Sequence, residues 1–207
     1  MKLIFNIILF LSLSFSVLSQ TKEDSAHYKL LYGESDTYYA ALNQLSLVGE
    51  DAPYLFAESA SGQLYTSQDL GDKVVLIHFW FLSCGGCLKE SPVLNRLQDS
   101  LGNNEHFQLL AFANNSMEDL KRFLAQDSVY FGRKWATIKK HPVLNFPLLP
   151  DDGAAVFNLF KGWAYPANIL IDRNGFVRKI IHAHELDMEG NDFFDYLYGE
   201  INQLLNE

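Results

Sequence analysis

The run Val74-Val75-Leu76-Ile77-His78-Phe79-Trp80 leaves this chain few architectures to choose from. It lacks the alternation of a strand with one wet face, and its β-branched residues favour an extended backbone. A strand that is apolar on both faces must be covered from above and below, which is the situation at the centre of an α/β sheet. Phe107–Ala113 is a second run of the same kind.

The remaining signals are consistent with that sheet. Tyr54–Ala57 and Gln63–Thr66 flank Ser61-Gly62 and predict a small N-terminal β-hairpin. Cys84 to Ser100 has helical spacing, with Leu88, Val93, Leu94 and Leu97 available for one face. Ser116 followed by Asp119 is a capping-box-like start to a helix reaching about Asp127. Residues 129–145 read as an irregular insertion around Trp135, Phe146–Leu149 as a short strand and Asp151–Phe160 as a helix. Ala167–Asp172 and Phe176–Ile181 flank Asn174-Gly175, a hairpin signal because both positions accept positive φ. An amphipathic helix from about Asp187 to Leu205 closes the chain. Strands alternating with helices and ending in a hairpin predict an α/β sandwich with a mixed sheet.

Three parts are expected along the 207 residues: a signal peptide over 1–19, an extension over 20–48 and a compact domain over 49–207. Lys2 precedes an apolar run from Leu3 to Leu18, shorter than the roughly 20 residues that span a bilayer. Val17-Leu18-Ser19 has small residues at its first and third places, so cleavage is expected after Ser19. The alternative is an uncleaved membrane anchor. Cleavage implies a periplasmic or extracellular protein with no stable membrane insertion. Residues 20–48 are polar and tyrosine-rich, with one short helix predicted over Ala40–Leu47 and no evident chemistry. The formal net charge of −9 argues against nucleic-acid binding, which leaves a basic footprint.

The chemistry centres on the only two cysteines, Cys84 and Cys87. A structural staple gains from closing a long loop; a four-residue loop is worth about 2 kcal/mol against about 3 for fifteen residues. Reversible redox chemistry explains the pair better, in a compartment where disulfides persist. A strand and a turn deliver Cys84 to a helix start, where unpaired N–H groups favour an anion. A thiol pKa of about 8.5 falls to about 3.5–7.5 in such a place. Cys84 therefore attacks, and Cys87, one turn further in, resolves. Half a zinc site is the competing reading, with His182 and His184 on one strand face as further ligands. Histidines so placed are more often solvent-facing, and no metal or organic cofactor is expected.

With these features the sequence resembles the exported TlpA/ResA-like, redoxin (AhpC/TSA-type) branch of the thioredoxin superfamily, over about residues 49–205. The segments that carry the resemblance occur in order. They are Gly49-Glu50-Asp51-Ala52-Pro53, Gly71-Asp72-Lys73-Val74-Val75-Leu76, Phe79-Trp80, Cys87-Leu88-Lys89-Glu90-Ser91-Pro92, and Tyr165-Pro166-Ala167-Asn168-Ile169-Leu170-Ile171-Asp172-Arg173-Asn174-Gly175. The resemblance implies a thioredoxin-like three-layer sandwich and thiol–disulfide exchange with protein substrates, the electrons passing through an upstream redox partner. It implies that Pro166 is cis beside the cysteines, with the backbone of Tyr165 open to an extended substrate. Pro92 falls inside the active-site helix and is expected to kink it.

The departures from the family pattern are also informative. Ser83 and Gly86 stand where relatives often carry Trp and Pro. His78 occupies the place of the buried acid of thioredoxins; it either relays protons or is a core histidine satisfied by a polar neighbour. Glu90 either tunes the cysteine pair or lies on a solvated helix face. A thiol peroxidase is the second functional reading, although Phe81 and Ile77 stand where peroxiredoxins carry Thr and Pro. A non-enzymatic binding or chaperone module is the third.

Overall fold

A computed structural model describes residues 22–183, 186 and 188–207. The expected signal peptide, His184 and the predicted helix start at Asp187 lie outside the described residues. Two helices come first, α1 (residues 22–32) and α2 (Asp36–Leu45), where one was predicted. The β-hairpin follows as β1 (Phe56–Glu58) and β2 (Leu64–Thr66), paired antiparallel. The central run forms β3 (Val74–Trp80), which leads into α3 (Gly85–Leu101) and then β4 (Phe107–Ala113).

α4 (Met117–Leu124) carries the capping box: the Asp119 N–H donates to Ser116 Oγ, and the Asp119 carboxylate accepts from the Ser116 N–H. Residues 128–138 are not irregular. They form α5 (Ser128–Phe131), a 3-10 turn (Gly132–Lys134) and α6 (Trp135–Ile138), which feed Phe131 and Ile138 into the core. β5 (Leu148–Pro150) and α7 (Ala155–Leu159) come next. α7 is shorter than predicted because the Asp151 carboxylate accepts from the N–H groups of Val156 and Phe157, after a turn with positive φ at Gly153 and Ala154. β6 (Ala167–Ile171), β7 (Val177–Ile181) and α8 (Gly190–Leu205) complete the chain.

The main sheet has the order β5-β4-β3-β6-β7. β3 lies parallel to β4 and antiparallel to β6, so the sheet is mixed. The β6–β7 turn departs from the simple two-residue form. Of its two central residues only Gly175 has positive φ, and Asp172 organises the loop by accepting from the N–H groups of Asn174 and Phe176. A register shift at Leu170/Ile171 absorbs the extra residue.

Every residue of β3 is buried, and its side chains alternate between two cores. Val74, Leu76 and Trp80 meet Val93, Leu94 and Leu97 of α3 and Phe193, Leu197 and Ile201 of α8. Val75, Ile77 and Phe79 meet Leu55 and Tyr65 around the β-hairpin, together with Phe157 and Phe160. Each aliphatic side chain so buried contributes about 1.5–3 kcal/mol, which drives the three-layer arrangement. A third, smaller cluster joins Tyr28, Ala41 and Leu45 of the N-terminal helices to Tyr32 and Trp163.

Candidate functional site

Cys84 is the N-cap residue of α3, in extended conformation at the end of the turn that leaves β3. Its Sγ is bonded to Cys87 Sγ and also accepts a hydrogen bond from the Cys87 N–H at 3.1 Å. Cys87 is fully enclosed, whereas Cys84 keeps a small exposed edge. The sulfur that reaches solvent is therefore the one at the positive end of the helix, where an anion is stabilised.

The Tyr165–Pro166 peptide bond is cis. A Cβ placed on Gly86 would lie 3.1 Å from Pro166 Cδ, while one on Gly85 would meet nothing within 4 Å. Gly86 thus lets the proline ring close onto the cysteine loop. The Tyr165 ring stacks on Phe157 at 4.1 Å and meets the edge of Phe81 at 5.5 Å. Burial and the charge of Asp151 push its hydroxyl up to about 12, so it stays protonated. Gly85, Gly86, Lys89, Glu90, Pro166 and Phe193 are among the residues lining a cavity of about 340 Å³ beside the disulfide, and Lys89 pairs with Glu189 at its rim.

Glu90 does not lie on a solvated face. It is 3% exposed, one turn beyond Cys87 on α3, and it turns inward because Asn168 is there to meet it. Asn168 Nδ2 donates to Glu90 Oε2 at 2.8 Å, and Asn168 Oδ1 accepts from His78 Nδ1 at 2.9 Å. His78 and Asn168 are directly paired across β3 and β6. His78 Nδ1 also lies 3.6 Å from Glu90 Oε2. Burial raises Glu90 to about 7, with the Asn168 hydrogen bond opposing. Burial lowers His78 to about 4, with Asn168 opposing and His141 adding to the decrease. Near neutral pH the histidine is therefore uncharged, and the carboxyl group gains and loses its proton.

Two buried residues of this neighbourhood escaped the sequence reading, and a third was misplaced. Asn168 had a signal, as a polar residue inside the apolar run Ala167–Ile171. His141 had none. It joins Ser91 Oγ at 3.0 Å to the Leu82 carbonyl at 3.2 Å, tying α3 to the turn before the cysteines. His182 was expected to face solvent beside His184. Instead it follows β7, is 1% exposed, and reaches the Pro166 carbonyl through Nδ1 at 3.0 Å. Among the described residues, no three histidine, cysteine, aspartate or glutamate side chains cluster as a metal site would require.

The fold and the paired cysteines define a protein of the thioredoxin-like class, built for reversible disulfide chemistry. Comparisons with known proteins agree. Thiol-disulfide oxidoreductase ResA of Bacillus cereus is 26% identical over 136 residues, which cover 65% of this chain and 69% of that protein. Thiol-disulfide oxidoreductase YkuV of Bacillus subtilis is 27% identical over 128 residues, covering 61% of this chain and 79% of that one. Among solved structures, a candidate protein disulfide isomerase of Bacteroides thetaiotaomicron superposes with a TM-score of 0.59 at 25% identity, over 77% of this chain and 91% of that one. The model of the AhpC/TSA family matches residues 48–180, and the chain belongs to that family. It is a thiol–disulfide oxidoreductase, an enzyme class whose substrates are protein thiols and disulfides.

Proposed function

We propose that this enzyme works outside the cytoplasm and exchanges the Cys84–Cys87 dithiol and disulfide with protein substrates. The observation that carries the reading is the placement of Cys84. It is the more exposed sulfur, it caps α3, and it sits in a loop closed against Pro166 through Gly86.

In the reducing direction the Cys84 thiolate attacks a substrate disulfide. One Cys84–substrate S–S bond forms, the substrate S–S bond breaks, and one substrate thiolate leaves. The Cys87 thiol then gives its proton to Glu90, and its sulfur attacks Cys84 Sγ. This forms the Cys84–Cys87 bond, breaks the mixed disulfide and releases the second substrate sulfur. The substrate gains two electrons; its two thiolates take up one proton passed on by Glu90 and one from solvent, and an external dithiol redox partner restores the enzyme. The oxidising direction is the same sequence reversed. Glu90 suits the proton step because its pKa of about 7 matches the working range of a general acid–base. His78 and Asn168 hold it in place, and the backbone beside Tyr165 and Pro166 receives the substrate strand. The peroxidase alternative has no support at Phe81 and Ile77, which offer no hydroxyl to a peroxide.

Replacing Cys87 with Ser traps substrates on Cys84 as mixed disulfides that a reductant releases; a Cys87→Ser protein that captures nothing in its native compartment sinks the proposal. Titration against glutathione places the couple on the redox scale. A potential near about −270 mV marks a reductant and one near about −120 mV an oxidant. The apolar stretch Leu3–Leu18 supports export, and the mature protein is expected to begin at Gln20. Mass analysis of the protein from its native host checks this.

A further inference from the structure

Residues 22–48 lie almost entirely before the segment matched by the family model, yet one of their side chains is linked to the site. Gln44 of α2 is completely buried. Its Nε2 donates to the Phe160 carbonyl at 3.2 Å, and its Oε1 faces His182 Nε2 at 3.1 Å. The other ring nitrogen of His182 faces the Pro166 carbonyl at 3.0 Å. A chain of side-chain contacts therefore runs from the N-terminal helices to the carbonyl of the site proline.

The Pro166 carbonyl can only accept, so His182 Nδ1 carries the hydrogen of that contact. Gln44 bridges the other ring nitrogen and the Phe160 carbonyl, so the ring is held from both sides. The Trp163 ring lies 5.0 Å from the His182 ring. Asp24 and His27 of α1, Lys179 of β7 and Tyr196 of α8 line a small cavity together with His182. Lys179 is paired with Glu200 at 2.6 Å.

We propose that Gln44 and His182 form a clasp that positions the Pro166 carbonyl, so that the N-terminal helices serve as a substrate-positioning element of the exchange site. Gln44 and His182 are positioning residues, since neither touches the reacting sulfurs. The proposal rests on the exchange reading above for its function, but not for the geometry of the clasp.

Two measurements on the full chain test it. Long-range nitrogen–proton NMR of the histidine side chains at pH 7 should show His182 Nδ1 protonated; a bare Nδ1 overturns the clasp. In kinetics with dithiothreitol as reductant and insulin as a polypeptide disulfide, Gln44→Leu and His182→Leu should raise KM roughly ten-fold with little change in kcat, the loss expected of one buried hydrogen bond. His182→Gln, which keeps a donor for the Pro166 carbonyl, should restore most of the wild-type KM. Reaction with the small disulfide 5,5′-dithiobis(2-nitrobenzoate), which needs no strand docking, should be unchanged. Equal losses on both substrates, or an unchanged insulin KM, overturn the positioning role. A wild-type protein without exchange activity overturns the functional reading instead, while the NMR result still decides the clasp.

Discussion

Two buried histidines flank the start of β6, and they differ in what faces them rather than in how deeply they lie. His78 meets the oxygen of Asn168, whose NH₂ is committed to Glu90. One ring proton satisfies that contact, so a dry environment keeps the histidine neutral. His182 is just as enclosed but faces two acceptors, Pro166 O and Gln44 Oε1. His141 is the intermediate case, because the Ser91 hydroxyl can turn to donate or accept, and a neutral ring suffices. Burial holds His78 neutral against the pull of Asn168. The acceptors around each ring decide where its hydrogen must sit, since a buried polar group must be paired.

The largest test of this comparison is Asn168→Leu, which removes the amide serving both His78 and Glu90. Each group left unsatisfied costs about 1–3 kcal/mol, so a loss of about 2–5 kcal/mol in urea unfolding is expected, and a loss below about 1 would show that the network contributes little. The second test separates its two titrating members. Between about pH 4 and 6.5 the unfolded chain binds a proton that native His78 refuses, so this residue's contribution to stability grows as pH rises. Between about pH 4.5 and 7 native Glu90 keeps a proton that the unfolded chain has lost, so its contribution shrinks as pH rises. The slopes oppose and largely cancel in the wild type. Glu90→Gln should leave a rise of about 3 kcal/mol across the lower window, and His78→Asn a fall of about 3 across the upper one. Parallel, flat profiles for both variants would break the assignment. The smallest test presses on Pro166 from the side away from the clasp. Gly86→Ala forces the proline ring back by a few tenths of an ångström and should cost about 1 kcal/mol, with a higher KM for polypeptide disulfides. Gly85→Ala points into open space and should be neutral or gain up to about 1 kcal/mol of helix propensity.

What could be read beforehand follows the range of the forces involved. β3, β4 and the capping box of α4 are written locally, in runs of apolar residues and in one Ser–Asp spacing. The cysteine pair at the start of α3 is equally local. The inward turn of Glu90 was not legible, because it depends on Asn168 lying 78 residues away. Residues 129–145 were read as irregular because single-turn helices are too short to show a period, although they carry Phe131 and Ile138 into the core. His182 was misplaced for a similar reason. Alternation along a strand says nothing once the strand has ended at Ile181.

The span of the Gln44 contacts has a consequence for the order in which the chain acquires its parts. Phe160 lies 116 residues after Gln44 and His182 lies 138 after it. During synthesis, α1 and α2 emerge first and must wait for partners made near the end. Tyr28, Ala41 and Leu45 stay uncovered until the segment from Phe160 to His182 exists. Contacts of such long range close late. A chain caught before that step would already hold Cys84 at the head of α3 while lacking the grip on Pro166. Its attacking sulfur would be in place before its selectivity was.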